Sequence, residues 1–142
     1  LMQKPKRLVY LSSGMHRGGD PSLNDLDWKS RPWEGSQAYS DTKLHDTLLA
    51  FAVARRWPKV MSNSVEPGWV PTKMGGAGAP DDLEAGPTTQ AWLAADPQTA
   101  DTTGGHFYHL KPRQPLAAVR DHMIQDRLLE ACARFSGVPF PD

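Results

Sequence analysis

Three short apolar runs alternate with segments of helical spacing, and few architectures accommodate that alternation. The runs cover residues 7–12, 60–65 and 104–110. Between the first two lies a stretch from about Tyr39 to Trp57, stopped by Pro58. Its Leu44, Leu48, Leu49, Phe51, Ala52 and Val53 make a broad core-facing stripe. Pro87 starts a second helix through Ala95, with proline in its favoured first turn. A last helix is predicted from about Leu116 to Phe135, ahead of a Pro-rich tail. Strands joined by helices of this length form a parallel sheet with right-handed crossovers. The predicted class is therefore α/β, a parallel sheet of about three strands with flanking helices. The Tyr39 helix covers one face and the Pro87 helix the other.

The connections are long, in keeping with 13 prolines and 12 glycines. Residues 14–36 read as a polar loop holding Trp28 and Trp33, 75–80 as a flexible glycine-rich loop, and 112–115 as a turn. Asp81 and Asp82 are placed to cap a short helical turn. Hydrophobic residues make up 39% of the chain, modest for a sheet covered on both faces. No internal repeat or linker divides the chain, which reads as one domain over residues 1–142. A net charge of zero gives no electrostatic case for nucleic acid or an anionic membrane. The longest apolar segment is too short to span a bilayer, and no secretory signal is visible at the start. The single cysteine, Cys132, suits a reducing cytoplasm and is expected to be a small buried hydrophobe on the last helix.

Chemistry concentrates where the strands end. The first run closes on Ser12-Ser13-Gly14, at the carboxyl edge where open α/β sheets place their sites. Tyr39 and Lys43 stand four apart at the start of the long helix, so both side chains leave the same face. A phenol ordinarily titrates near ~10, and a fixed ammonium beside it favours the phenolate and makes a usable proton donor. The second run continues into Glu66-Pro67-Gly68-Trp69-Val70-Pro71-Thr72. Each feature alone is common; their order is not.

That order, strand with terminal serines, helix with Tyr and Lys, strand with Pro-Gly and a threonine, resembles the short-chain dehydrogenase/reductase family over about Lys6 to Leu110. The long loop before Tyr39 makes it most similar to retinol-dehydrogenase-like or protochlorophyllide-reductase-like members. The resemblance implies a partial Rossmann-like fold, half of a doubly wound parallel sheet, and NAD(P)-dependent hydride transfer that reduces a carbonyl or oxidises an alcohol. It implies Tyr39 as acid/base, Lys43 as the residue that lowers the tyrosine pKa and binds the nicotinamide ribose, and Ser13, ahead of Ser12, as the hydrogen-bonding partner of the substrate oxygen. Pro67, Gly68 and Val70 resemble the loop that meets the nicotinamide, and Thr72 the hydroxyl that reaches cofactor phosphate.

Other parts of the family pattern are absent. No G-x-G-x-x-G or T-G-x-x-x-G-x-G motif occurs, and the Asn-Asn-Ala-Gly stretch and the helix asparagine are missing. The chain resembles the carboxyl-terminal half of such a dehydrogenase. By itself it is expected to be inactive and not to bind NADP or NAD tightly, and the choice between the two is not encoded in this half. The alternative is a non-catalytic remnant or interaction module that keeps the fold. An open edge at the first strand, and apolar residues of the Tyr39 helix left without a neighbour, point to a homo-oligomer.

No metal is expected. His106 and His109 fall on opposite faces of a strand, and His16, His45 and His122 show no ligand spacing with a Cys or carboxylate. Arg55, Arg56 and Lys59 complement a helix dipole. Trp28, Trp33, Trp69 and Trp92 fit an apolar substrate pocket as readily as core and loop packing.

Overall fold

The computed structural model describes residues 3–141. It contains β1 (Arg7–Leu11), α1 (Gly35–Arg56), β2 (Met61–Glu66), α2 (Ala85–Ala95), β3 (His106–Tyr108), β4 (Lys111–Pro112) and α3 (His122–Ser136). The sheet order is β1-β2-β3-β4. β1, β2 and β3 are parallel, with Leu11 opposite Val65 and Glu66 opposite Tyr108, so their carboxyl ends meet along one edge. The α/β class and the three parallel strands match the sequence reading, and a fourth strand adds to it.

β4 pairs antiparallel with β3. The turn predicted at 112–115 lies earlier, at His109 and Leu110, whose φ values are +46° and +63°. Positive φ at both central residues is what a two-residue hairpin needs to match strand twist. The third strand is correspondingly shorter than the 104–110 run. Gly104 and Gly105 still hydrogen-bond to Ser62 and Asn63 of β2.

Three helix starts differ from the sequence reading: α2 begins at Ala85 instead of Pro87 without a side-chain cap, and the other two are set by caps. Glu34 accepts from the amides of Ser36 and Gln37, so α1 begins at Gly35 and not at Tyr39. Asp121 accepts from Met123, so α3 begins at His122, after a separate 3₁₀ turn at Ala117–Arg120. Asp82 accepts from the Glu84 amide as the capping argument expects, whereas Asp81 turns back to Trp69.

α1 and α2 lie on opposite faces of the sheet. One core joins Leu44, Leu48, Ala50 and Phe51 of α1 to Val119 and Leu128. The other joins Val65 and Phe107 to Leu93, with Trp92 edge-on to Phe107. β2 is buried despite its polar sequence, because every polar side chain has a local use. Ser62 donates to the Ala50 carbonyl, Asn63 bridges Thr102 and Gly105, and Ser64 pairs with His106. Such small side chains let α1 approach the sheet closely, which accounts for a fold built on a modest apolar fraction.

Two expectations about open surface are corrected. The apolar residues of α1 are not left for an absent helix: Leu44, Leu48 and Ala52 are fully buried. α3 covers part of the helix, with Arg55 paired to Asp126. The loop after residue 18 covers another part, through Asp20 and Arg31 to Asp41. Cys132 lies on α3 but is exposed. The apolar stripe of α3 runs on past the body beneath it, and no described residue after Ala131 is buried. β1 remains an edge strand, with no partner on its outer side among the described residues. Its Arg7 crosses to the end of α2 and donates to the carbonyls of Leu93 and Asp96.

Candidate active site

The carboxyl end of β1 is fastened to α1 at three points. The Ser12 amide continues the ladder to Val65 O at 2.8 Å. The Ser12 hydroxyl is buried between Lys43 O and Thr47 Oγ1, at 2.9 and 2.7 Å. Lys43 Nζ donates to Leu11 O and to Asp46 Oδ2, both at 2.8 Å. These bonds hold the lysine amine at the sheet edge. Tyr39, one turn earlier on the same face, presents its ring 5.8 Å from that amine. The ring is 36% exposed, and its hydroxyl makes no hydrogen bond among the described residues.

Ser13 is placed differently from Ser12. It is half-buried and caps the 3₁₀ turn Gly14–Gly18, its hydroxyl accepting from the Met15 amide at 3.2 Å. That leaves the hydroxyl proton free to donate. No direct hydrogen bond joins Ser13 to Tyr39 or Lys43 among the described residues. The three residues share one sheet edge, and such gaps commonly close only around substrate.

The Pro67–Thr72 segment leaves β2 along the same edge. Gly68 has φ +91°, and a Cβ there would stand 2.5 Å from Asp81 Oδ2, so only glycine fits. Asp81 closes the loop by accepting from the Trp69 amide and donating its own amide to Trp69 O. Trp69 Nε1 donates to Gly75 O, which ties the glycine-rich stretch into this loop between β2 and α2. Val70 packs on Gly86 at the start of α2, and its amide has no acceptor among the described residues. Thr72 Oγ1 accepts from the Gly75 amide.

One cluster escaped the sequence reading. His16, Glu66 and His106 come from three separate elements and bring ligand-type atoms within 4.8 Å of one another. Linear spacing cannot reveal such a meeting; a charged residue ending a buried strand was the available signal. The donor set is that of an ion-pair network and not of a metal centre. His16 Nδ1–H donates to Ser13 O at 2.7 Å, and Nε2 accepts from the Leu116 amide at 3.1 Å, so neither nitrogen is spare. Glu66 already faces Arg113 at 2.5 Å and Arg17 at 3.8 Å. Burial alone would raise the Glu66 pKa, but His106 and Arg113 outweigh it and hold the carboxyl below its ordinary value.

The remaining candidates stay apart. His109 sits in the β3–β4 turn, stacked on Tyr108, away from the inward-facing His106. Trp28 and Trp33 pack together over the outer side of α1, with Arg31 above Trp28. Trp92 belongs to the core, and Trp69 is 60% exposed. The four tryptophans do not line one pocket.

Buried His16 and half-buried His45 predict an acid-sensitive fold. Burial lowers the pKa of His16 and of His45 below the usual 6.5. The unfolded chain therefore binds more protons than the folded one as pH drops below about 6.5, and stability is lost in that window. Glu66 and Asp41, both lowered, extend the loss below their ordinary 4.5 and 3.8. Urea midpoints measured from pH 8 to pH 4 should fall progressively below about pH 6.5. A midpoint flat down to pH 5 contradicts neutral buried imidazoles, and His16→Asn should flatten the upper part of the fall.

No family model matches the chain. Curated proteins do, over nearly its whole length. It is 37% identical to the short-chain dehydrogenase chry4 of Gibberella zeae, over 99% of this chain and 56% of that protein. It is 35% identical to the short-chain dehydrogenase chyC of Penicillium rubens with the same coverage. Human retinol dehydrogenase 13 is 28% identical over 96% of the chain and 47% of its own length. A crystal structure of an uncharacterised protein from Mycobacterium paratuberculosis superposes with a TM-score of 0.78 at 21% identity, over 96% of this chain and 52% of that one, and so shares its fold. The chain thus spans about half the length of the curated relatives it matches, and with them it belongs to the short-chain dehydrogenase/reductase family.

Proposed function

We propose that this chain carries the Ser-Tyr-Lys part of an NAD(P)-dependent oxidoreductase that interconverts a small-molecule carbonyl and alcohol. The observation that carries the reading is the Lys43 amine, fixed between Leu11 O and Asp46, with the Tyr39 ring beside it on the open sheet edge. Fixing an ammonium against a strand end serves little structural purpose that a shorter side chain could not meet. It does set a positive charge where a phenol can use it.

Each residue then has a defined task. Tyr39 gives a proton to the carbonyl oxygen, or takes one from the alcohol. Lys43 supplies the field that favours this exchange and donates to the nicotinamide ribose. Ser13 donates its free hydroxyl proton to the substrate oxygen. Pro67, Gly68 and Val70 would hold the nicotinamide, the Val70 amide serving the carboxamide, and Thr72 would serve phosphate. The bound nicotinamide supplies or accepts the hydride, and the protein contributes orientation and proton transfer.

The contacts available in this chain serve the nicotinamide end, while adenosine and pyrophosphate need a glycine-rich strand-turn-helix. Calorimetric titration of the chain with NADPH and NADH is therefore expected to give binding weaker than low micromolar, with no turnover. The native protein should consume NADPH or NADH with simple aldehydes or ketones. Low-micromolar affinity of the chain alone would show a complete dinucleotide site. Absence of any NAD(P)-linked activity in the native protein would favour a non-catalytic module. Self-association through the open β1 edge belongs to the same reading, since an unpaired edge recruits a strand unless it is covered.

A further inference from the structure

We propose that Glu66 is a positioning residue, whose buried carboxylate fixes the Ser13–Gly14 turn and the Pro67–Gly68 turn relative to one another. Glu66 is 3% exposed and is the last residue of β2, directly before Pro67. Its Oε2 lies so close to Gly14 that a Cβ at that position would be 2.8 Å away. The carboxylate therefore touches the backbone that follows the proposed substrate-binding serine, while its own backbone leads into the proposed nicotinamide wall.

Four further groups lock this junction. Arg113, just past β4, donates to Oε1 at 2.5 Å. Arg17, from the turn that Ser13 caps, places Nη1 3.8 Å from Oε2 and anchors its other nitrogen on Gln114 O. His106 of β3 holds Ser64 through Nδ1 and aims its buried, unpartnered Nε2 at Glu66 Oε1 from 3.8 Å. His16 stands edge-on to His106, with ring centroids 4.8 Å apart, and grips the Ser13 carbonyl. A continuous line of contacts thus runs from Ser13 through both imidazoles to Glu66 and on to Pro67.

A buried ion pair is a poor device for stability, because desolvation offsets much of the attraction. It is a good device for direction, since a carboxylate between two guanidinium groups has few satisfactory placements. Reacting groups held on two different strand ends need such a constraint, and a displacement of about 1 Å can cost ~10²-fold in rate. The proposal rests on the Ser-Tyr-Lys reading for its catalytic consequence, but not for its geometry.

The test uses Glu66→Gln, Glu66→Asp and Gly14→Ala, with two readouts. In the native protein, Glu66→Gln is expected to lower kcat per folded molecule by about 10- to 100-fold and to raise KM for NADPH. The pH profile set by Tyr39 should stay in place, and Glu66→Asp should recover part of the loss. In the isotope-labelled chain, the Gly14, Met15 and Gly68 amide resonances should shift in Glu66→Gln while those of α3 do not. Unchanged kcat and KM per folded molecule, or unmoved resonances at both turns, would make Glu66 merely structural and overturn the proposal. Should Glu66→Gln fail to fold, Gly14→Ala presses on the same oxygen and carries the same comparison. A native protein without any turnover refutes the oxidoreductase reading, and the resonances then decide the positioning alone.

Discussion

Replacement of Tyr39 by phenylalanine is expected to cut turnover of the native protein by about 10²- to 10⁴-fold, the range spanned by a positioned acid or base. Stability should change by no more than ~0.5 kcal/mol, as for surface substitutions elsewhere. The two effects separate because of where the residue sits. The phenol is partly exposed on the first turns of α1 and its hydroxyl bonds to none of the described residues. Removing one oxygen there takes no packing with it. Lys43→Met should lower turnover too, but it also frees Leu11 O and Asp46, so its stability cost should exceed that of Tyr39→Phe. Steady-state rates and thermal melts on both variants make the comparison. Near-wild-type turnover in Tyr39→Phe would sink the assigned acid/base role.

The largest effect on stability is expected from Leu48→Ala, at about 2–5 kcal/mol. Leu48 is fully buried between the sheet and α3, in one cluster with Leu44, Phe51, Val119 and Leu128. Truncation loses the transfer energy of the missing carbons and leaves a cavity among the close-packed members of that cluster. Against a total of ~5–15 kcal/mol for an ordinary domain, that loss is a large fraction. Leu83→Ala is the control: Leu83 is 52% exposed in the loop before α2, and its loss should stay within ~0.5 kcal/mol. Urea unfolding of the three proteins gives both numbers. A cost for Leu48→Ala below about 1 kcal/mol would mean that the packing around α1 adapts far more readily than its burial implies.

Much of the architecture was legible because it is written in local patterns. An apolar run ending in serines, a long helical stripe stopped by Pro58, and a strand broken by Pro-Gly each act over a few residues, and all three stand where expected. The boundaries that differed were decided by single side chains. Glu34 lengthened α1 backwards by accepting from two amides, and the left-handed turn at His109–Leu110 folded a strand where a longer one was predicted. Neither residue pair is a strong turn or cap signal, so propensity could not have placed them.

The sequence alone determined which candidate residues lie at the sheet edge. Tyr39 and Lys43 share a helix face by their spacing, and Ser13 ends a strand by its neighbours, so both facts follow from covalent connectivity and backbone period. Tertiary structure decided what joins them. Lys43 reaches Leu11 and Ser12 reaches Thr47 only because α1 packs against β1. His16, Glu66 and His106 meet only because β1, β2 and β3 pair side by side, bringing the turn after β1, the end of β2 and the start of β3 within one ion-pair network. Cys132 shows the converse: its helical stripe is encoded locally, but whether anything lies beneath it depends on where the body ends. Periodicity fixes the direction in which a side chain leaves its own element, and only the packing of separate elements fixes what it meets.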